Sequence, residues 1–256
     1  MTWSETSRLR PKASGTTVKV PGDGLLISID GPAGSGKSTL ATSLGKRLGL
    51  DVLDTGAMYR AAALLVIQHG IDATYTSTSD EKVSSLIRGC SIEVGGEVLL
   101  DGIDVTSAIR TQEVDMAVSG IAAIPDVRLE LVARQRSWID AHNGGVVEGR
   151  DIGTVVAPDA DLKVFLVASD EVRIARRAAE RGMPADSSLS GVVQGLIGRD
   201  RMDSARQVGA LPDAARMRTL EREDNVLVVD STSAPAATVL DTVVAKMKEM
   251  RLIDAV

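Results

Sequence analysis

The feature that most constrains the fold is a glycine-rich segment at residues 31–38, which reads GPAGSGKS and fits the pattern G-x-x-x-x-G-K-[ST]. An apolar run at 25–29 precedes it, and a helix-like segment begins near Lys37. A strand, a glycine loop and a helix in this order form a P-loop, because the glycines let backbone N–H groups surround phosphates at the positive end of the helix. The segment therefore predicts nucleotide binding, but it leaves the destination of the phosphate open.

Individual P-loop residues have separate expected roles. Lys37 brings a mobile positive charge to the β- and γ-phosphates, and the Ser38 hydroxyl is placed to reach a magnesium ion. The predicted nucleotide-binding residues are Gly31, Pro32, Ala33, Gly34, Ser35, Gly36, Lys37, Ser38 and Thr39.

Composition excludes several classes of protein. The 256 residues carry a formal net charge of −6 and only 2% aromatic residues, which argues against a nucleic-acid groove. The chain has a single cysteine, Cys90, so it cannot form an internal disulfide, which suits a protein of the reducing cytoplasm. We interpret Cys90 as a small buried residue. No apolar run reaches the roughly 18 residues of a membrane span. We expect a cytoplasmic monomer that has neither nucleic-acid nor membrane partners.

Short apolar runs alternate with helical segments along the chain, which predicts an α/β fold with a parallel sheet covered by helices on both faces. The five predicted strands lie at 25–30, 51–54, 145–148, 162–168 and 226–229.

Two insertions interrupt this alternation. Three short β runs linked by Gly95-Gly96 and Asp101-Gly102 predict an antiparallel meander within an inserted lobe at 71–138. A stretch rich in Arg, Asp, Gly and Ser at 181–211 is typical of a mobile lid. We therefore predict a disordered tail at 1–22 and a P-loop core at 23–256 that carries both insertions.

Arginines follow the predicted strands, at the edge where open parallel sheets bind ligands. Arg60 comes after the second strand, Arg150 after the third, and Arg199 and Arg206 lie in the predicted lid. A planar guanidinium group binds phosphate bidentately and stays charged. Arginines such as Arg60 and Arg150 could bind a second substrate that accepts the phosphoryl group, and we call their part of the site the acceptor side. Such arginines favour phosphoryl transfer over simple hydrolysis.

Simpler interpretations stay open for some of these residues. Arg60 could only solvate a helix, Asp54 could be a helix N-cap, and the arginines at 173–181 could form a solvated helix face. His69 and His142 match no triad or metal pattern and are interpreted as structural or surface residues.

Glu148 and Asp151 superficially resemble the acid pair of a glycosidase. Arg150 lies between them and should keep both carboxylates ionised, whereas an acid catalyst needs one raised pKa. We therefore set sugar hydrolysis aside.

Five segments in sequence order together resemble bacterial cytidylate kinases, a family of nucleoside monophosphate kinases. They lie at 29–38, 53–60, 109–114, 149–156 and 199–206. The resemblance implies an adenylate-kinase-like P-loop fold and Mg²⁺-dependent transfer of the ATP γ-phosphoryl group to CMP or dCMP. It also implies that the meander insertion is the monophosphate-binding lobe and that the lid closes over ATP.

The resemblance assigns roles residue by residue. Arg60 and Arg150 would hold the CMP α-phosphate, while Ser119 and Arg128 would face cytosine. The implied CMP-binding set is Thr55, Arg60, Ser119, Arg128, Arg150, Asp151 and Asp203, and the implied catalytic set is Lys37, Arg150, Arg199 and Arg206.

Two alternatives compete with this interpretation. The P-loop alone would also suit a kinase for UMP, AMP or shikimate, which the meander and the segment at 109–114 disfavour. A P-loop ATPase switch would carry a guanine motif of the N-K-x-D type or an exposed partner surface, and neither is visible. One departure from the family pattern is an additional segment at 214–225, for which we predict a longer surface helix.

Overall fold

A parallel sheet carries the P-loop on its central strand. The computed structural model describes residues 24–71, 80–180, 182, 193, 198, 200, 219 and 223–254. The predicted tail at 1–22, most of the predicted lid and most of the additional segment at 214–225 lie outside these residues.

The described residues form the following elements in chain order. They are β1 (Leu26–Asp30), α1 (Lys37–Leu48), β2 (Val52–Asp54), α2 (Thr55–Gln68), α3 (Asp80–Gly89), β3 (Ile92–Val94), β4 (Val98–Leu100), β5 (Ile103–Asp104), a 3₁₀ turn (Ala108–Arg110), α4 (Gln112–Ile121), α5 (Pro125–Ala141), β6 (Gly145–Gly149), a π-helical turn (Ile152–Val156), β7 (Leu162–Val167), α6 (Asp170–Glu180), β8 (Val226–Asp230) and α7 (Ala236–Glu249).

The main sheet has the strand order β2-β6-β1-β7-β8, and all of its pairs are parallel. Each of its strands matches a predicted strand to within one residue at either end, so the predicted α/β sheet is confirmed. Both neighbours of β1 come from later in the chain. The carboxyl ends of β1, β6 and β7 therefore meet at one edge, which is the position where such sheets bind ligands.

Both faces of the sheet are covered by helices. Side chains alternate along a strand, so Val146 and Val147 on β6 point to opposite faces and join different buried clusters. Val146 packs with α1 and α7 residues such as Leu44 and Val243, whereas Val147 packs with helices of the segment between β2 and β6.

The predicted meander is confirmed as a second, antiparallel sheet in the order β3-β4-β5. Helix α4 begins where the Thr111 side chain accepts a hydrogen bond from Val114 N, and Pro125 opens α5 without requiring an intrahelical N–H. Cys90 is buried beside this sheet, which confirms that it is a small buried residue. The boundaries of an inserted lobe at 71–138 stay a prediction.

Helix α2 begins at Thr55, directly after β2. Asp54 ends β2 in an extended conformation, and its Oδ1 accepts a hydrogen bond from Ala57 N at 3.0 Å. The N-cap interpretation of Asp54 is therefore confirmed. Within the described part of the chain, no helix has the length and apolarity needed to cross a bilayer.

Candidate active site

The loop between β1 and α1 is tightly enclosed by its surroundings. Gly31 has a φ of 153°, and a Cβ atom there would lie 2.2 Å from the carbonyl oxygen of Leu166. At Gly34, with a φ of 73°, a Cβ atom would lie 2.8 Å from the carbonyl oxygen of Arg173. Both positions therefore require glycine, as a loop that wraps a phosphate needs. The Lys37 ammonium group donates to Pro32 O at 2.9 Å, which bends the lysine back over the loop.

Helix α6 supports the P-loop with arginines rather than facing solvent. Arg173 is buried and donates to Ala33 O at 2.9 Å. Arg176 donates to Ser35 O at 3.3 Å and to Ser231 O at 2.6 Å. The solvated-face interpretation is therefore wrong for these arginines. Sequence periodicity placed them on one helix but could not reveal what that helix packs against.

Arg150 follows β6 directly, and its Nη1 lies 2.9 Å from Asp200 Oδ1. The same carboxylate pairs with Arg173 Nη1, and its Oδ1 accepts a hydrogen bond from Ala33 N at 3.3 Å. A P-loop amide, an α6 arginine and a predicted acceptor-side arginine therefore converge on one anionic side chain.

Arg60 is also paired rather than solvated. Its Nη1 lies 2.6 Å from Asp115 Oδ1 on α4 and 3.3 Å from Ile109 O. Arg177 on α6 reaches the same Asp115 carboxylate, with Nη2 to Oδ2 at 2.7 Å. The interpretation of Arg60 as a residue that only solvates its helix is wrong, because Asp115 joins it to the helix that supports the P-loop.

The residues implied for cytosine recognition lie in the interior. Arg128 on α5 forms a buried ion pair with Asp151, so two of the implied residues are in direct contact. Ser119 on α4 is 2% exposed, and its hydroxyl has no hydrogen-bond partner among the described residues. Thr55 donates to Glu148 O at 2.7 Å, which joins the start of α2 to β6.

Asp30 connects the donor and acceptor sides of the site. It is fully buried at the end of β1, and its two carboxylate oxygens accept hydrogen bonds from Ile152 N and Gly153 N, each at 2.8 Å. Burial raises its pKa to about 7, with the two backbone hydrogen bonds opposing that shift. The π-helical turn that follows Arg150 and Asp151 is thereby tied to the residue preceding the P-loop.

Sequence reasoning assigned no role to Asp30, Asp115 or Asp200. Only Asp30 carried a local signal, since it directly precedes the glycine loop. Asp115 and Asp200 meet their arginine partners through contacts between distant parts of the chain, which a single sequence does not reveal.

Glu148 corrects one expectation. Burial first, and then the nearby Asp54 carboxylate, raise the pKa of Glu148 to about 7, against the opposing effects of Lys37, the Ser38 hydroxyl and Arg150. The expectation that Arg150 keeps Glu148 ionised is therefore wrong. Glu148 is a buried residue of β6, whereas the Arg150 guanidinium group pairs with Asp200.

Replacing Glu148 by glutamine should change how stability depends on pH. An unfolded glutamate ionises near its ordinary pKa of 4.5, whereas folded Glu148 keeps its proton to about pH 7. Between these values the folded state binds more protons, so rising pH lowers the free energy of unfolding. Glu148→Gln should reduce this fall in the free energy of unfolding with rising pH by up to about 3 kcal/mol.

Urea unfolding of both proteins at pH 4.5 and pH 8 measures this difference. Glu81→Gln, at an exposed position on α3, makes the same chemical change and should leave the pH dependence unaltered. Equal pH dependence in the wild type and Glu148→Gln would contradict the prediction.

The remaining predicted residues divide into two groups. His69 and His142 each place a ring nitrogen against a carbonyl of their own helix, and His142 stacks on Trp138, in agreement with structural roles. Arg199, Asp203 and Arg206 lie outside the described residues, so their roles stay predictions.

Comparison with known proteins identifies the family. The family model described as Cytidylate kinase matches residues 27–249. The cytidylate kinase of Streptomyces griseus subsp. griseus is 39% identical over 243 residues, which cover 93% of this chain and 98% of that protein. The cytidylate kinase of Pelotomaculum thermopropionicum is 43% identical and covers 88% and 96%, respectively. That of Corynebacterium efficiens is 46% identical and covers 76% and 86%. The chain, with its P-loop and its convergent arginines, belongs to the cytidylate kinase family.

Proposed function

We propose that this chain transfers the γ-phosphoryl group of ATP to CMP, giving ADP and CDP, and that dCMP is also an acceptor. One observation carries the proposal. Ala33 N in the P-loop and the guanidinium group of Arg150 after β6 contact the same carboxylate, at 3.3 and 2.9 Å. Two groups that both suit phosphate, one from each side of the site, are therefore close enough to act on neighbouring phosphates.

The donor half is the P-loop. Its backbone N–H groups and the start of α1 bind the triphosphate, and Lys37 leaves Pro32 to follow the phosphoryl group that is transferred. Arg173 and Arg176 keep the loop in shape through its carbonyl groups.

The acceptor half binds the monophosphate. Arg60 and Arg150 hold the α-phosphate of CMP, while Ser119 and Arg128 bind the cytosine edge. Asp151 orients Arg128 through their buried ion pair. Thr55 lies beside β6 at the start of α2, where it completes this half of the site.

Magnesium fits the residues next to the P-loop. The Ser38 hydroxyl is exposed on the first turn of α1 and hydrogen-bonds to the carboxyl group of Glu148, so oxygen ligands of the kind that Mg²⁺ prefers lie together. Ser38 would hold the ion, whose positive charge would offset the negative charge of the nucleotide phosphates.

Residues outside the described ranges also contribute. Arg199 and Arg206 complete the charge stabilisation, Asp203 contacts the acceptor, and the segment at 181–211 excludes water, which would otherwise accept the phosphoryl group. We also propose 71–138 as the monophosphate-binding lobe of a monomeric, cytoplasmic enzyme.

An ATP-consumption assay tests the function. The purified chain is incubated with Mg²⁺, ATP and, separately, CMP, dCMP, UMP, AMP, shikimate or no acceptor. We expect rapid turnover with CMP and dCMP only. Preference for another acceptor, or turnover without any acceptor, would overturn the proposal.

Replacing Ser119 by alanine should weaken CMP binding without destabilising the fold. The hydroxyl is buried but makes no hydrogen bond to the described residues, so its removal breaks no such contact in the free protein. Loss of a hydrogen bond to cytosine should raise KM for CMP about tenfold and leave KM for ATP unchanged.

Steady-state kinetics and thermal unfolding measure both effects. Ser84→Ala is the matched control, because Ser84 is another buried helical serine whose hydroxyl lacks a partner within the described ranges. It should leave both KM values unchanged. An unchanged KM for CMP in Ser119→Ala would remove Ser119 from the acceptor site.

A further inference from the structure

The carboxylate of Asp200 lies in a site built for an anion. Its Oδ1 is 2.9 Å from Arg150 Nη1 and 3.3 Å from Ala33 N, and its Oδ2 pairs with Arg173 Nη1. Only 14% of the side chain is exposed. Three donors from three separate parts of the chain therefore surround one negative charge that is mostly shielded from solvent.

These donors are the kinds that proteins use for phosphate. A P-loop N–H group at the start of a helix attracts anions, and guanidinium groups bind phosphate oxygens in pairs. Arg173 is held in place because it also donates to Ala33 O at 2.9 Å and pairs with Asp170 at 2.5 Å. The carboxylate thus takes the position and the contacts that a phosphate group would require.

We propose that Asp200 determines the affinity of the ATP site, because its carboxylate is an internal anion that a phosphate group of ATP must displace from Ala33, Arg150 and Arg173. This inference depends on the proposed function only in requiring that ATP binds at the P-loop. Without a nucleotide, the Asp200 carboxylate pairs with the guanidinium groups of both Arg150 and Arg173. When a nucleotide binds, its phosphate interactions with these donors must outweigh the carboxylate interactions that they replace, and the measured affinity is the difference between the two.

The electrostatic state of Asp200 agrees with this role. Burial acts to raise the pKa of Asp200, but Arg150 and Arg173 outweigh this effect and hold that pKa below its ordinary value. Asp200 is therefore ionised at neutral pH and competes as an anion. Once displaced by a phosphate group it loses both arginine partners, and its pKa should rise.

Calorimetric titration of ATP and of inorganic pyrophosphate, without Mg²⁺, tests the proposal on the full chain. Asp200→Asn keeps the shape of the side chain but removes its charge, so both ligands should bind about tenfold more tightly than to the wild type. Asp170→Asn is the control, because Asp170 also pairs with Arg173 but is largely exposed and has no contact to the P-loop amide. It should change either affinity by less than about twofold.

Unchanged or weaker binding of ATP to Asp200→Asn would overturn the proposal. A second measurement needs no variant: the carboxyl carbon of Asp200 in the wild type is followed by NMR during a pH titration. Its pKa should rise when ATP saturates the protein, and a constant pKa would also overturn the proposal. If the wild type binds ATP but does not phosphorylate CMP, the proposed function fails, while both measurements still decide the role of Asp200.

Discussion

Replacing Arg150 by alanine should lower kcat for CMP phosphorylation about 10³-fold or more, which is typical of an arginine that stabilises transferring phosphate. Its guanidinium group extends from the end of β6 towards a carboxylate that also contacts the P-loop. Phosphoryl transfer spreads negative charge over the equatorial oxygens, and no uncharged side chain can replace a bidentate cation there. Initial rates at saturating ATP and CMP measure the effect.

Two further variants make the result specific. Arg150→Lys keeps the charge but loses the planar fork, so its kcat should fall between those of the wild type and Arg150→Ala. Arg47→Ala, at an exposed position in the last turn of α1, removes an arginine outside the site and should keep kcat near the wild-type value. Near-normal turnover of Arg150→Ala would exclude Arg150 from the reaction.

The strands and the P-loop could be predicted because their determinants are local. A loop that binds phosphate requires a strand before it and a helix after it, and the apolar runs of the main sheet are short and separated by glycines and polar turns. The meander was equally predictable, since Gly95-Gly96 and Asp101-Gly102 are strong turn signals.

The ion-pair network could not be predicted from the sequence, because its partners are far apart along the chain. Arg177 and Asp115 are separated by 62 residues, and Arg150 and Asp200 by 50. Periodicity placed the arginines of α6 on one helix, but only packing against the P-loop showed that they support its carbonyl groups. A run of charged residues usually indicates a solvent-exposed helix face. In this fold the arginines of α6 instead contact the P-loop.

The prediction that Glu148 is ionised was wrong for a related reason. The sequence places Arg150 two residues away, which suggested a stabilised carboxylate. In a strand, residues at this spacing point to the same face, but Arg150 lies just beyond β6, where its guanidinium group pairs with Asp200. Burial then dominates the pKa of Glu148, and burial is a property of the whole fold.

Replacing Arg128 by alanine should both destabilise the protein and weaken its choice of acceptor. Arg128 and Asp151 are each 8% exposed, so the variant leaves a buried carboxylate without its arginine partner. The free energy of unfolding should fall by about 3–5 kcal/mol. Adding Asp151→Ala should recover part of that loss, because the buried carboxylate that has lost its arginine is then removed as well. Urea unfolding of the single and double variants measures this coupling.

The same variant should reduce the preference for CMP over UMP about 10²-fold or more, since N3 of cytosine accepts a hydrogen bond from an arginine and N3 of uracil does not. The ratio of kcat/KM for the two acceptors is measured at low temperature, where the variant stays folded. Arg134→Ala is the matched control, because Arg134 lies on the same helix and donates to the carbonyl groups of Ile87 and Cys90 at 2.8 and 2.9 Å. It should lower stability without changing the ratio. If Arg128→Ala keeps the wild-type ratio while losing stability, the Arg128–Asp151 pair stabilises the fold but does not read the base, and acceptor choice must then depend on other residues.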